Sequence, residues 1–551
     1  MRSRTSILRA LTLTLVFLAA GLPTHARAQI RIPSAALQDG AELETVFRVG
    51  DQLEQERRWG EALSHYERAR KDHPGRQEIE HRLAVARFHY EVVRRYSDTS
   101  FIETVKSIGE QGALDLYGEV LLKIQAHHVQ RADWNQLLER GLTAMEVAFA
   151  EPSFRRQHGF NNTEEAARSL LTDIRRHFEA TPIYSRHDAR QRAAEIAHVL
   201  EQRLQLPSPV TVSEFTCAAV ASLDDYSAFL TGNQLDDVLS QIEGNFVGLG
   251  IELKAEDQAL RIVSVIPSGP ADQGGMRTGD RIIEVDGLST RDISTDKAAD
   301  MLKGVEGSFV NLVILDPNGE ARRLRLQRTR VDVPSVDNIQ IVDTAYGIGY
   351  FRLSSFQKTT NRDVDSALWK LHQQGMRSLI VDVRGNPGGL LTAAVEVADK
   401  FVSQGDIVST RGRSSGEDFD YKAHAVGTWR VPLIVLIDGD SASASEIFAG
   451  AIHDHRRGTL VGTRSYGKGS VQGIFPLSMA NAGVRLTTAK FYSPSGQAIS
   501  HRGVEPDVEV KASEQTTVAR PIDELLPIVD QQRDAVLTAS LQIARQQLPP
   551  R

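Results

Sequence analysis

From Tyr346 onward the chain alternates short apolar runs with amphipathic ones, and this constrains its fold more than any other feature. "YGIGYFRL", "RSLIVDVR", "VPLIVLID" and "GTLVG" have the length and character of strands buried in a sheet. Between them, "NRDVDSALWKLHQQG", "LLTAAVEVADKFVSQG" and "SASEIFAGAIHDHR" carry apolar residues at helical spacing. The alternation predicts an α/β domain with helices packed on a sheet, placed at residues 340–512. A C-terminal helical tail, residues 513–551, holds one amphipathic helix after Ile522 and ends in Pro549 and Pro550.

A chain of 551 residues is too long for one core, and the rest divides by pattern. Arg2, Arg4 and Arg9 precede the apolar run "ALTLTLVFLAAG", and "ARA" (Ala26–Ala28) follows with small residues where a signal peptidase reads. Residues 1–28 therefore read as an export signal cleaved before Gln29, which sends the chain to the periplasm or out of the cell. An uncleaved anchor is the alternative. The run is short for a bilayer span, and no later segment is as apolar, so membrane association is at most peripheral. The formal net charge is −7, and residues 1–28 carry four arginines and no acidic residue, so the mature chain is more acidic still. That balance argues against general nucleic-acid binding. Cys217 is the only cysteine, which rules out intramolecular disulfides and multi-thiolate zinc sites.

Residues 38–110 and 111–236 both show helical periodicity. In the first, Gly50, Ala62, Tyr66, Ala69 and Pro74 fall at the small, aromatic and proline positions of a tetratricopeptide repeat; the next stretch keeps only Leu83 and Ala84. A plain helical hairpin is the alternative, because a lone repeat cannot bury its own face. The repeat-like surface suits an adaptor or self-association.

Between 237 and 328 short β-rich runs alternate with Gly and Pro turns. "STDKAADMLKGVEG" reads as one helix and "SFVNLVILD" as a closing strand. Gly248-Leu249-Gly250-Ile251 and "GPADQGGMRTGDRIIEVDG" resemble a PDZ domain, which implies capture of a free peptide carboxylate on the amides of Gly248, Leu249, Gly250 and Ile251. A spacer of the same shape is the alternative.

"DGDSASASEIFAGA" (Asp438–Ala451) lies where the strand "VPLIVLID" gives way to a helix. Ser443 with Glu446 fits the S-x-x-E capping box. The chemical reading makes one serine a nucleophile, with the helix amides and dipole end near a developing oxyanion. The elbow pattern G-x-S-x-G is absent. His453 and His455 stand about three helical turns from Ser443, roughly 15 Å, and read as a solvated helix end. Lys468 in "GTRSYGKGSVQG" is the other candidate base; it must be neutral, and desolvation would make it so. A flexible surface turn competes with this reading. A phosphate loop is disfavoured because Gly469 stands where that motif needs Ser or Thr. In "DVRGNPGGLLTAA", Gly388 and Gly389 form a tight strand-to-helix turn that can also donate an amide.

Taken in order, the PDZ-like stretch, "IGYFRLSSFQKTT", "VDVRGNPGG", "DSASASEIFAGA", "TRSYGKGSVQ" and "VRLTTAKFYSPSGQAISHRGVEPD" resemble the C-terminal processing peptidases, or tail-specific proteases. The likeness runs from about Ser222, in "SLDDYSAFL", to Val510. It implies a multidomain α/β chain with a ClpP/crotonase-like serine protease core. It also implies Ser443 as nucleophile, Lys468 as general base, Gln472 positioning the lysine, and an oxyanion hole from Gly388 and the Ala444 amide. Ser441 and Ser445 become cap and turn residues, and Asp454 matches an acid of uncertain role. The implied substrates are proteins or peptides with free C-termini, and no metal or cofactor is required. A repeat-plus-PDZ binding scaffold and a histidine-based hydrolase are the rival readings.

Overall fold

The computed structural model describes residues 34–178, 181–256, 259–291, 298, 301–511 and 534–548. The export signal expected at 1–28 lies outside them, as does most of the tail before Asp534. One compact unit ends at Arg87 and a second begins at Phe88. The sequence boundary at 110 does not coincide with that division.

In the first unit, α1 (Ser34–Gln55) and α2 (Trp59–Asp72) meet through the residues read as repeat hallmarks. Ala62, Tyr66 and Ala69 are buried. Gly50 leaves room for the Tyr66 ring: a Cβ there would lie 2.0 Å from Tyr66 Oη. That hydroxyl donates to Glu54 Oε1 at 2.7 Å. Pro74 precedes α3 (Gln77–Arg95).

In the second unit, six helices form the helical region: α4 (Thr99–Ser107), α5 (Glu110–His127), α6 (Trp134–Ala150), α7 (Pro152–His158), α8 (Glu164–Phe178) and α9 (Arg186–Leu204). Helices α4, α5, α6 and α9 pack on α10 (Ser208–Ala221), which is buried on nearly every side, as a central helix must be. Its one carboxyl side chain, Glu214, is paired with buried Arg95 at 2.6 Å and with Tyr96 Oη at 3.0 Å.

A strand β1 (Ala228–Leu230) and helix α11 (Gly232–Glu243) lead to a neck in which β2 (Asn245–Gly248) pairs antiparallel with β9 (Thr329–Asp332). The PDZ domain hangs from that neck. Its antiparallel sheet has the order β3 (Ile251–Glu256), β4 (Ala259–Val265), β5 (Arg281–Val285), β7 (Phe309–Leu315), β8 (Ala321–Gln327), with β6 (Leu288–Ser289) on β5 and a short α12 (Pro270–Gln273). Much of the helix expected in "STDKAADMLKGVEG" lies outside the described residues; Ala298 and Leu302 are buried in the domain core.

The α/β core is built on two sheets. One has the order β10 (Val336–Asp343), β11 (Ile348–Leu353), β12 (Ser378–Asp382), β15 (Leu433–Ile437), β16 (Thr459–Gly462), β19 (Val508–Glu509), parallel except for edge strand β10. Every residue of β12 and β15 is buried, because both faces are covered. Leu379, Val381, Leu433 and Val435 face the cluster formed with α13 (Thr360–Gln373), α14 (Leu391–Asp399) and α15 (Ala444–Asp454). Ile380, Ile434 and Leu436 face α16 (Ala535–Gln547) through Val536, Leu537 and Leu541. The tail helix is thus the second layer of this sheet. Arg384 fastens it, reaching Asp382 at 2.6 Å and Asp534 at 2.8 Å.

The other sheet has β1, β18 (Gly483–Tyr492), β13 (Asp406–Gly412) and β14 (Phe419–Lys422), with β17 (Ser470–Pro476) also on β18. The core of the helical region continues into Leu477, Ala482, Val484 and Leu486 of the β17–β18 hairpin, so helices and protease share one interior.

A side chain at Gly50 tests the first unit. Overpacking typically costs ~1–3 kcal/mol, and a single repeat has little to spare. Gly50→Val is expected to abolish protease resistance and helicity up to about Arg87 while leaving the melting transition of the rest in place. Limited proteolysis with mass mapping checks this.

Candidate active site

Strand β15 ends at Ile437, and the chain turns sharply into α15. Three hydroxyls lie in that turn, and two are committed to structure. Ser441 Oγ donates to the Val383 carbonyl at 2.8 Å, and Ser445 Oγ donates to the Asn386 carbonyl at 2.9 Å. Both side chains are buried. Ser443 is half-buried, and among the described residues its hydroxyl donates to no acceptor. Its backbone stands at φ 56°, ψ −113°, a region an L-residue occupies only when its surroundings impose it. They do so here. Ala442 N–H is held by the Asn386 carbonyl at 3.0 Å, and Ser443 N–H by Glu446 Oε2 at 2.8 Å. The capping box expected of Ser443 and Glu446 is present. The Glu446 amide also bonds the Ser443 carbonyl at 2.9 Å. The Ala444 amide, first in the helix, finds no acceptor among the described residues.

Lys468 sits in a loop that is packed rather than flexible. A Cβ on Gly469 would lie 2.2 Å from Ser500 N, and Gly467 takes φ 92° against the backbone of His501 and Gly503. The link between this loop and the serine turn is Glu446. Its Oε2 accepts Lys468 N–H at 2.8 Å as well as the Ser443 amide. Its Oε1 accepts Gly467 N–H and Ser465 Oγ, each at 2.6 Å. One fully buried carboxylate thereby places the backbone of the serine and the backbone of the lysine within two hydrogen-bond lengths of each other. Burial raises the Glu446 pKa, and the four donated hydrogen bonds act against that rise.

The Lys468 amine is pushed down to about 8. Desolvation is the main cause and the positive charge of Arg485 the second, with Glu446 and Asp224 acting in the opposite direction. Over the amine lies the ring of Tyr226, its centroid 5.1 Å from Nζ.

Two expected partners are engaged elsewhere. Gln472, at an irregularity between β17 and β18, donates its side-chain amide to Ser470 Oγ at 2.9 Å and makes no bond to Lys468. Gly388 does pack on Ser443, since a Cβ there would lie 2.8 Å from Ser443 Cβ. Its N–H, however, closes a turn onto Asn386 Oδ1 at 2.8 Å, so the amide assigned to the oxyanion hole is satisfied internally.

The histidines are held away from the chemistry. His453 Nδ1 pairs with Asp454 at 3.0 Å, and His455 Nε2 bonds the Asp406 carbonyl at 2.7 Å, both at the far end of α15. Asp454 also accepts Ser495 N–H at 3.0 Å. Burial opposes ionisation of Asp454, but hydrogen bonds from Ser493, His453 and Ser495 prevail and lower its pKa. It fastens the helix end to the segment after β18.

In the PDZ domain, Gly248, Leu249 and Gly250 are buried, and Gly250 takes φ 76°. The Leu249 and Gly250 carbonyls are used by Ala271 N–H at 3.0 Å and Ile266 N–H at 2.8 Å. Their own amides find no acceptor among the described residues. Ile251 opens β3. Among the described residues no group of three or more His, Cys, Asp or Glu side chains is arranged to hold a metal ion.

The sequence reading missed Asp224, Tyr226, Arg485 and Asn386. "SLDDYSAFL" served there only to mark where a resemblance begins. Nothing local links it to Lys468, because β1 reaches the site only by pairing with β18.

Residues 347–510 match the model of peptidase family S41, and residues 261–316 match that of the PDZ domain, beginning beyond Gly248–Ile251. The chain is 39% identical over 300 residues to a carboxy-terminal-processing protease of Bartonella bacilliformis, a match covering 53% of this chain and 67% of the relative. To a carboxyl-terminal-processing protease of Synechocystis sp. it is 34% identical over 298 residues, covering 53% and 69%. A solved photosystem II D1 C-terminal processing protease is similar at 26% identity and a TM-score of 0.37, covering 72% of this chain and 93% of that one.

Glu446→Gln tests the carboxylate link. The amide keeps the shape but turns an NH2 toward two backbone donors. An unsatisfied buried donor costs on the order of 1–3 kcal/mol, roughly a tenfold to hundredfold loss in rate if the site bears it. Peptide cleavage assays are expected to show kcat reduced by at least that factor with KM little changed, and circular dichroism to show the fold retained.

Proposed function

The chain belongs to the carboxyl-terminal-processing proteases of peptidase family S41 and carries a PDZ domain, and on that premise we propose an exported serine endopeptidase that holds substrate C-terminal tails on the PDZ domain and cleaves through a Ser443–Lys468 dyad. The observation that carries the dyad is the contrast within one turn: Ser441 and Ser445 donate their hydroxyls to the fold and Ser443 does not, while Glu446 ties the serine turn to the loop of a lysine with a lowered pKa.

In this mechanism neutral Lys468 Nζ takes the Ser443 Oγ proton as Oγ bonds to the scissile carbonyl carbon. The Ala444 amide receives the oxyanion charge. Gly388 joins it by exchanging Asn386 Oδ1 for the oxyanion. The lysine ammonium passes its proton to the leaving amine, the C–N bond breaks, and an acyl ester remains on Ser443. Lysine then takes a proton from water, hydroxide adds to the ester, and Oγ regains its proton as the new carboxylate leaves. For Gln472 to steady the lysine, its carboxamide must leave Ser470.

Partners follow the same reading. Substrates are proteins or peptides with free C-termini, held by the amides at Gly248–Ile251. The repeat-like first unit is the surface for an adaptor or a second copy of the chain. If the Gly50→Val protein keeps the wild-type oligomeric state and partner set, that role for the unit falls. The arginine-led, small-residue pattern of residues 1–28 supports export to the periplasm or beyond; N-terminal sequencing of the mature protein beginning at Gln29 is the check.

Ser443→Ala and Lys468→Ala are each expected to reduce cleavage to background with the fold intact, and the double variant to be no worse than either, since the pair works as one unit. Because the base must be neutral, wild-type kcat/KM is expected to rise with pH through an apparent pKa near 8. Activity retained in Lys468→Ala but lost in His453→Ala would reverse the assignment of the base. An inactive scaffold predicts no difference between Ser443→Ala and wild type.

A peptide with an amidated C-terminus gives up its charge-assisted hydrogen bonds to the PDZ loop. The expected penalty is on the order of 1–3 kcal/mol, or tenfold to a hundredfold in kcat/KM. Equal cleavage of free-acid and amidated forms would remove carboxylate recognition.

A further inference from the structure

The helical region has no part in the chemistry described so far, yet one of its exits reaches the candidate base. After α10 the chain passes through Ser222–Ser227 before pairing as β1 with β18. This short segment is held rigidly. Asp224 Oδ1 accepts the amides of Tyr226 and Ser227, each at 2.8 Å. Asp224 Oδ2 is bonded by His128 Nε2 at 2.9 Å and Ser227 Oγ at 2.8 Å, and Thr487 Oγ1 of β18 donates to Oδ1 at 3.1 Å. Burial opposes ionisation of Asp224, but these bonds prevail and bring its pKa to about 2. Arg485, also on β18, donates Nε–H to the Tyr226 carbonyl at 2.8 Å. With amide and carbonyl both fixed, the Tyr226 ring is delivered over Lys468 Nζ at 5.1 Å, within the range where an aromatic face attracts a cation.

We propose that Tyr226 is a positioning residue for the dyad: its ring covers the Lys468 amine, sets the direction in which Nζ lies, and favours the ammonium form against burial and the positive charge of Arg485. This rests on the dyad reading above. The groups facing the amine are Arg485 from β18, which disfavours the ammonium, and Glu446 from α15 and Asp224 from the pre-β1 segment, which favour it. Arg485 and desolvation make the amine less basic, so that a neutral fraction is present near pH 8. The ring works in the other direction and keeps the ammonium from being lost altogether, so that it can protonate the leaving amine. A general base that must become a general acid in the next step needs both. The helical region then supplies part of the catalytic site, through the Asp224 anchor.

Removing the aromatic face while keeping the site apolar takes away a stabiliser of the ammonium, so the Lys468 pKa must fall. Tyr226→Leu is expected to move the rising limb of the kcat/KM profile to lower pH by about half to one unit, and to lower kcat more than KM, whereas Tyr226→Phe keeps the limb in place. The second measurement does not use turnover. In Ser443→Ala carrying each Tyr226 variant, the Lys468 amine is titrated by competitive acetylation with acetic anhydride, read by mass spectrometry. The same downward shift is expected for Leu and none for Phe. If Tyr226→Leu fails to fold, trifluorophenylalanine at 226 preserves the shape, cancels the negative ring face, and must give the same shift. An unshifted Lys468 with Leu or trifluorophenylalanine overturns the proposal, as does an equal shift with Phe. Failure of the dyad reading is separate: Lys468→Ala would then cleave normally, whatever the Tyr226 variants do to the amine.

Discussion

The site depends on one buried carboxylate. Glu446 collects four donors, two on each oxygen, from the turn that carries Ser443 and the loop that carries Lys468. A carboxylate in an apolar interior is costly unless its lone pairs are filled. Here two of the four filling groups are the backbone amides of Ser443 and Lys468, so the stability of the carboxylate and the geometry of the site are one requirement. The strained backbone of Ser443 is held on the same terms, by Glu446 on one side and by the Asn386 carbonyl through Ala442 on the other.

Around this clasp the protein uses both faces of a parallel sheet. Alternate residues of β12 and β15 go to separate apolar clusters. The loops that matter leave the carboxyl ends of adjacent strands: the glycine turn after β12, the serine turn after β15, and the lysine loop after β16. Parallel order places these ends side by side, so residues distant in the chain meet. The tail helix α16 closes the lower face and is tied through Asp534 and Arg384 to the strand that leads into the glycine turn.

Several groups around the site are engaged with one another. Gly388 N–H is taken by Asn386, Gln472 by Ser470, and the lysine amine faces a tyrosine ring. The PDZ neck ends beside the same glycine turn. Lys358 pairs with Glu243 at the end of α11, Lys358 N–H bonds the Ile242 carbonyl at 2.9 Å, and Phe356 exchanges backbone bonds with Gly388 and Leu390. The PDZ domain and the turn that packs against Ser443 are therefore joined by a short run of backbone.

What the sequence by itself determined is local. Apolar runs of strand length, helical periodicity and a Gly-flanked lysine depend on neighbours a few residues away, so the α/β core, the PDZ strands, the helical regions and the motifs around Ser443 and Lys468 could be read directly. The small and aromatic positions Gly50, Ala62, Tyr66 and Ala69 were legible for the same reason: they meet across one tight helix pair. Tertiary structure decided the rest. Which serine keeps an undonated hydroxyl depends on the Val383 and Asn386 carbonyls, which arrive from another strand. That Glu446 joins two loops, that Asn386 occupies the Gly388 amide, and that Tyr226 covers Lys468 are contacts between segments far apart in the chain. Each forms only because sheet pairing brings those segments together, and pairing of that kind leaves no periodic trace in either segment alone.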